Sequence, residues 1–408
     1  MTKHSATTNQ FSEREIDMHN AIHPKPRFLA VLALAASVLI LSACSTAAAS
    51  SSGTHAGAAT SAADLAYAKA RVAQYSKSPS TAPSGTAFDA RVDAGKTIWY
   101  IPLVATVAPI QAIATNLKRA LGVAGVKVQE CDGKGSVVGW NGCIQQAVAQ
   151  KPGAIVLESI NPSLVSASVA SAKAAGIPVL IDTATDSTSA WYPSASAQVS
   201  YDYTLGSQLV ADWIIADSKG KANVLVIDTN DLSLKTAVTK NGYQSEFAKH
   251  CSGCAVTVDS VTSSADWGTM VTPLVTSALT KNPSINYVVA EYDPEVPGTI
   301  TALAQLGKQG SVKVAAFNAS LEQMQDLAQK NYVAVEVGSD QNSLGWAEAD
   351  QVLRVLAGKQ PVKLEATGTR VFTPSNIGSV SLNTTNFYSG AWYGNGFEAA
   401  YQKLWGLN

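Results

Sequence analysis

Residues 287–303 read YVVAEYDPEVPGTITAL, an apolar run followed by acids, prolines and a glycine. Glu291, Asp293 and Glu295 place three carboxylates in five positions, which suits either a metal or acid/base site or the junction of a strand with a helix. Asp293-Pro294-Glu295 matches an N-cap, a proline at the first helical position and an acid near the positive helix end. Asp293 is therefore expected to cap a helix, and Glu291 and Tyr292 to stand at a strand tip. Tyr292 is the residue of this stretch expected to touch a ligand.

The same strand-then-helix pattern extends in both directions. Upstream lie TIWYIPLVA, VKVQEC, AIVLESI and PVLIDT, separated by helical windows near Ile110–Leu121, Cys143–Ala149 and Leu164–Ala175. A second series follows: NVLVIDT, AVTVDSV, YVVAEYD, VKVAAFN and VAVEVG. Its helical windows lie around 238–249, 270–279, 299–306 and 321–329. The strands are apolar nearly throughout, as when both faces of a sheet are covered. Strands alternating with helices argue for an α/β fold with doubly wound parallel sheets, and two series argue for two lobes joined by a hinge. Gly345–Ala357 reads as helix, VFTPSNIGSVSL as extended, and the tail as a helix with Phe397, Tyr401, Leu404 and Trp405 on its apolar face.

Ligands of open α/β sheets bind beyond the carboxyl ends of the strands. That rule nominates Ala105–Ala108, Cys131–Asp132, Ser159–Asn161, Asp182–Thr183, Asp228–Asn230, Glu291–Tyr292, Asn318 and Ser339–Asp340 as one shared cleft. Aromatic residues at Trp191, Tyr192, Tyr201, Tyr203, Trp267 and Tyr292 fall near these tips, where they suit either ligand contact or loop packing.

The chain has 408 residues, enough for two cores, and a formal net charge of −1, which gives no electrostatic reason to expect nucleic acid. Lys25 and Arg27 precede FLAVLALAASVLIL, the length of a signal-peptide core and short for a final membrane span. The run ends in Leu41-Ser42-Ala43-Cys44, similar to the lipobox of bacterial lipoproteins, which implies cleavage before an acylated Cys44. Residues 45–63 lack periodicity and large apolar groups and read as a tether. Asp64–Lys77 reads as a short helix.

Four further cysteines form two close pairs, Cys131 with Cys143 and Cys251 with Cys254. In an exported chain such pairs favour disulfides, the first worth about 3 kcal/mol by loop entropy. A redox reading of Cys251-x-x-Cys254 needs the pair at a helix N-terminus, whereas here it follows a helical stretch.

Catalytic patterns are sparse. No G-x-S-x-G elbow occurs, and Gly95-Lys96-Thr97 has Ala90 where a phosphate loop needs its first glycine. All five histidines lie in the leader, the tether or a helix end, leaving no imidazole for a zinc or Ser/His site. Asp182 and Glu291 remain as a carboxylate pair for an enzyme reading. No catalytic residue, cofactor or metal is expected.

With leader, tether and doubled rhythm together, the chain resembles type I periplasmic binding proteins, in particular the ribose-type solute receptors of ABC transporters. PLVATVAPIQAIATNLKRA, KPGAIVLESINPSLVSASVASAKAAGIPVLIDT, SYDYTLGSQLVADWI and VVAEYDPEVPGTITAL carry the likeness, which runs from about Lys96 to Leu364. It implies a hinged receptor that closes on a small sugar-class solute and docks on a membrane permease. The departures are specific. Ile110 and Gln111 follow Pro109 where sugar receptors carry aromatics, and Asp182-Thr183 stands for their Asp-Arg. Thr239-Lys240 falls where an arginine is expected, Tyr292-Asp293 replaces Asn-Asp, and Asn318 replaces an aspartate. The pocket is expected to be less charged and more aromatic than a pentose site.

The expected organisation is a signal peptide over 1–43, a tether over 44–63 and a lead segment over 64–95. The N-terminal lobe takes 96–201 with 340–366, and the C-terminal lobe 202–339 with 367–408. Hinges are expected near Tyr201–Tyr203, Ser339–Asn342 and Glu365–Thr369, and ligand contacts at Gln111, Asp132, Asn161, Asp182, Tyr201, Tyr292, Asn318 and Asp340. The function expected is solute capture for an ABC importer by a lipoprotein on the extracytoplasmic side of the cell membrane. The alternatives are a sensory lipoprotein signalling through its closed form, or a receptor for a non-sugar aromatic or polar solute. A transcription regulator is excluded, because an export signal occupies the place of a DNA-binding helix pair.

Overall fold

The computed structural model describes residues 59–363, 367–394 and 396–407. The leader, Cys44 and most of the tether lie outside the described residues, as do 364–366, which include the first two residues of the third expected hinge.

The N-terminal lobe is built on β1 (Thr97–Pro102), β2 (Lys127–Glu130), β3 (Ala154–Glu158) and β4 (Val179–Asp182), in the order β2-β1-β3-β4 and parallel throughout. α2 (Ala108–Val123), α3 (Val137–Gln150) and α4 (Ser166–Ala174) join the strands; α1 (Ala62–Tyr75) precedes them. The C-terminal lobe carries β5 (Asn223–Thr229), β6 (Ala255–Val261), β7 (Tyr287–Ala290), β8 (Lys313–Phe317), β9 (Val333–Ser339) and β10 (Thr369–Phe372). Its order is β10-β9-β8-β7-β5-β6, and β10 alone runs antiparallel to its neighbour. α5 (Tyr203–Asp217), α6 (Ser245–His250), α7 (Trp267–Lys281), α8 (Val296–Gln305) and α9 (Leu321–Gln329) flank this sheet. Every residue of β3, β4 and β7 is buried, the outcome expected of strands sandwiched between helices. Among the described residues, no helix is long and apolar enough to cross a membrane.

The chain crosses between lobes after β4, after β9 and again ahead of β10. The second crossing leads into α10 (Gln341–Leu356), which packs on α2 of the N-terminal lobe. Gly345 makes that approach feasible, since a Cβ there would stand 2.6 Å from the Ile113 carbonyl oxygen. The helix expected at 238–249 is divided: Thr236–Gln244 winds as a wider π-helix before α6 begins.

Two assignments differ from the sequence reading. After β10 the turn Ile377–Ser379 still packs on α9, and beyond it α11 (Thr384–Ser389) packs on α2 while α12 (Phe397–Leu404) packs on α10 of the N-terminal lobe. The cause is aromatic: Trp405 stacks on Trp346 of α10 with ring centroids 5.5 Å apart, and both are buried. VFTPSNIGSVSL is extended only over β10 and then turns through Ile377–Ser379. At the other end, α1 of the lead segment docks on the C-terminal lobe through charge. Arg71 meets Asp212 and Glu246, each at 3.2 Å, and Asp64 accepts from His250 at 2.9 Å. Both expected disulfides are formed, with Cα atoms 5.8 Å apart for Cys131–Cys143 and 5.3 Å for Cys251–Cys254.

Candidate functional site

The strand tips of the two lobes face one another across a narrow cavity of about 50 Å³. A space that small holds a few waters, so a larger solute enters only when the lobes part or the lining side chains move.

The N-terminal wall is aliphatic with two hydroxyls. Leu103 and Val107 follow β1, Ile110 and Ile113 point inward from the first turns of α2, and Ser159 and Thr183 end β3 and β4. The C-terminal wall is aromatic, with Tyr203, Trp267 and Tyr292 beside Leu232, Leu234, Pro294 and Asn318. Tyr201, on the first crossing, lies between them. No ionised side chain lines the cavity among the described residues.

Several lining groups are held in fixed positions. The Trp267 indole donates to Thr229 Oγ1 at 2.9 Å, and that hydroxyl donates to Glu295 at 2.9 Å. Trp267 and Tyr292 sit with centroids 6.1 Å apart, and Tyr201 meets Tyr203 edge-on at 5.4 Å. Ser159 Oγ and Thr183 Oγ1 are 2.6 Å apart, and Thr183 donates to Glu158. The Ser233 hydroxyl donates to the Ala184 carbonyl, tying one lobe to the other across the cavity mouth. Ser159, Thr183 and Asn318 adopt positive φ angles of 60°, 49° and 129°. Left-handed backbone at non-glycine residues is uncommon, and here it falls on three strand tips lining one space.

The acids stand one layer behind the walls. Burial pushes Glu295 up to about 8 and Asp293 up to about 7. Burial, with Glu295 and Asp228 nearby, drives Glu291 well above the carboxylate range. The opening triplet is thus turn chemistry, though not as expected. Asp293 does not cap its own helix: Tyr292 holds the N-cap position of a short 3-10 turn, and Asp293 accepts the Ser320 N–H at 2.5 Å. The tip of β8 lies close enough for this side chain to serve the N-terminus of α9 instead.

Of the eight expected contacts, the structure brings Tyr201, Tyr292 and Asn318 to the cavity. Asp182 lies behind Thr183 and accepts the Val199 N–H at 3.0 Å. Asn161 caps a 3-10 turn through the Ser163 N–H, and Asp340 caps α10 through Asn342 and Ser343. Asp132 sits in an exposed loop, accepting from Lys134 at 2.8 Å and from Ala105 at 3.4 Å. Gln111 faces a separate groove, its Oε1 3.5 Å from the Tyr388 hydroxyl. The cavity also takes Ile110, Ile113 and the Leu232–Leu234 loop, which the sequence reading does not nominate, together with Tyr203 and Trp267, which it leaves between ligand contact and loop packing. The helical stripe of Ile110, Ile113 and Leu117 pointed inward in the sequence already, with Gln111 on the other side.

Residues 106–360 match the family described as periplasmic binding protein domain. Among solved structures, a 5-methylthioribose transporter solute-binding protein from Thermotoga lettingae superposes with TM-score 0.64 at 17% identity, covering 78% of this chain and 98% of that one. An ABC sugar transporter subunit from Rhodobacter sphaeroides gives 0.61 at 18%, covering 70% and 100%. A carbohydrate transporter solute-binding protein from Agrobacterium radiobacter, in complex with D-arabinose, gives 0.58 at 23%, covering 69% and 95%. No curated protein matches the chain. Two wound lobes, the crossings after β4, after β9 and ahead of β10, and a shared cavity at the strand tips agree with the family match, and the chain belongs to the periplasmic binding proteins of type I.

Proposed function

We propose that the chain captures a small uncharged solute of the sugar class on the extracytoplasmic side and delivers it to an ABC permease. The observation carrying this reading is the cavity shared by both lobes, with aromatic faces on one wall and hydroxyls on the other. Aromatic faces suit the C–H faces of a sugar ring, and Ser159, Thr183 and Asn318 supply neutral hydrogen-bond partners. The absence of a lining charge among the described residues disfavours charged solutes, which would be desolvated without a counter-ion. The structural neighbours, named as transport proteins for sugars, support the class.

In this reading the lobes rotate about Tyr201–Tyr203, Ser339–Asn342 and the stretch ahead of Thr369, and close on the solute without turnover. Acylation of Cys44 would hold the protein at the membrane. A thermal-shift and calorimetric panel of D-arabinose, 5-methylthioribose, galactose, myo-inositol, nucleosides and small aromatics tests the proposal. At least one sugar-class member should raise the unfolding midpoint and be recovered unchanged. A panel in which only charged solutes bind, or in which the bound compound is consumed, would overturn it.

A further inference from the structure

Beneath Ser159 and Thr183, the N-terminal lobe buries Glu158, Asp182 and Glu348. Strand register sets Glu158 beside Asp182, and the two-residue alternation of β1 puts Tyr100 on the same face of the sheet. α10 brings Glu348 to the group. One carboxylate oxygen from each of the three acids lies within 4.8 Å of the other two.

Glu158 Oε1 accepts from Thr183 and from Ser159 Oγ, the latter at 3.2 Å. The remaining oxygens are not satisfied. Glu158 Oε2, Asp182 Oδ2, both Glu348 oxygens and the hydroxyl of the fully buried Tyr100 have no hydrogen-bond partner among the described residues. No lysine, arginine or histidine pairs with these acids among the described residues.

Ionised carboxylates that close repel by roughly 3 kcal/mol per pair at an effective dielectric near 20. Positive charge has to enter. A proton shared by Glu158 and Glu348 would quiet one contact and leave Asp182 Oδ2, a Glu348 oxygen and the Tyr100 hydroxyl without partners. A single cation engages them together. Oxygen-only donors select hard ions, and oxygens on opposite sides of a calcium ion stand about 4.8 Å apart.

We propose that Glu158, Asp182 and Glu348, with Tyr100 beside them, form a site for one hard divalent cation of the calcium class under the floor of the cavity. The ion fixes Glu158, and through it the Ser159 and Thr183 hydroxyls that line the cavity. The proposal is independent of which solute the cavity takes.

The full chain, treated with EDTA and desalted, is loaded with calcium, magnesium or manganese, and bound metal is measured by mass spectrometry alongside thermal unfolding. About one ion per chain is expected for at least one of the three, with a midpoint several degrees above that in EDTA. Glu348→Gln should weaken metal binding at least tenfold while leaving the midpoint in EDTA unchanged or higher. If the unsubstituted chain retains none of the three ions and unfolds at the same temperature with and without them, protons neutralise the acids and the proposal is wrong.

Discussion

Each lobe buries a group of three carboxylates behind its share of the cavity, Asp228, Glu291 and Glu295 in one and Glu158, Asp182 and Glu348 in the other, and only the first group is satisfied from within. In the C-terminal lobe Asp228 pairs with Lys235, Glu291 accepts from Thr239 at 2.7 Å and Glu295 from Thr229 at 2.9 Å. In the N-terminal lobe Glu158 has two hydroxyl donors, whereas Glu348 has none among the described residues. The walls in front differ as well, aromatic on one side and aliphatic with hydroxyls on the other. Similar topology has therefore received two chemistries. The Asp228, Glu291 and Glu295 group is satisfied within its own lobe, although Asp293 Oδ1 and Glu336 Oε1 elsewhere in that lobe lack partners among the described residues, and the proposed cation would supply what the Glu158, Asp182 and Glu348 group lacks.

The contrast can be broken most forcefully at Trp267. If the aromatic wall carries recognition, Trp267→Ala should weaken the best solute by about 30-fold or more, on the order of 2 kcal/mol, in calorimetric titration. The satisfied acid group can be unbalanced next. Thr239→Val removes the donor to Glu291, and denaturant unfolding should report a loss of about 2 kcal/mol. On the opposite wall a smaller change is expected. Thr183→Val deletes one neutral cavity hydroxyl and should cost a sugar-class solute about 1 kcal/mol of affinity.

The last test is pH. Burial raises Glu295 to about 8 and Asp293 to about 7, against values near 4 in the unfolded chain. The folded chain thus holds more protons across that window, so stability is greatest at its acidic end and falls as pH rises toward 8. Unfolding midpoints should drop between pH 5 and pH 8, and Glu295→Gln should flatten part of the slope.

The fold was legible because buried parallel strands leave an unbroken apolar signature, as in AIVLE and YVVA. The site was less legible, for two physical reasons. Polarity points to Gln111 as a contact, whereas Ile110 stands on the inward stripe of α2. Left-handed turns at Ser159 and Thr183 decide which residue of each tip faces the cavity, and no periodicity encodes that choice. The lobe of the tail is hidden in the sequence for a related reason. Its position next to β10 suggested one partner, while the stacking of Trp405 on Trp346 selects another from far along the chain.

The docking of α1 has a mechanical consequence. Arg71 and Asp64 clamp this helix to Asp212, Glu246 and His250, all on one lobe. Any pull arriving along the polypeptide ahead of Thr60 would therefore meet that half first. The other half grips the same segment only further along, where Arg354 donates to the Thr86 carbonyl and the carbonyls of Leu404 and Trp405 accept from Phe88 and Ala90.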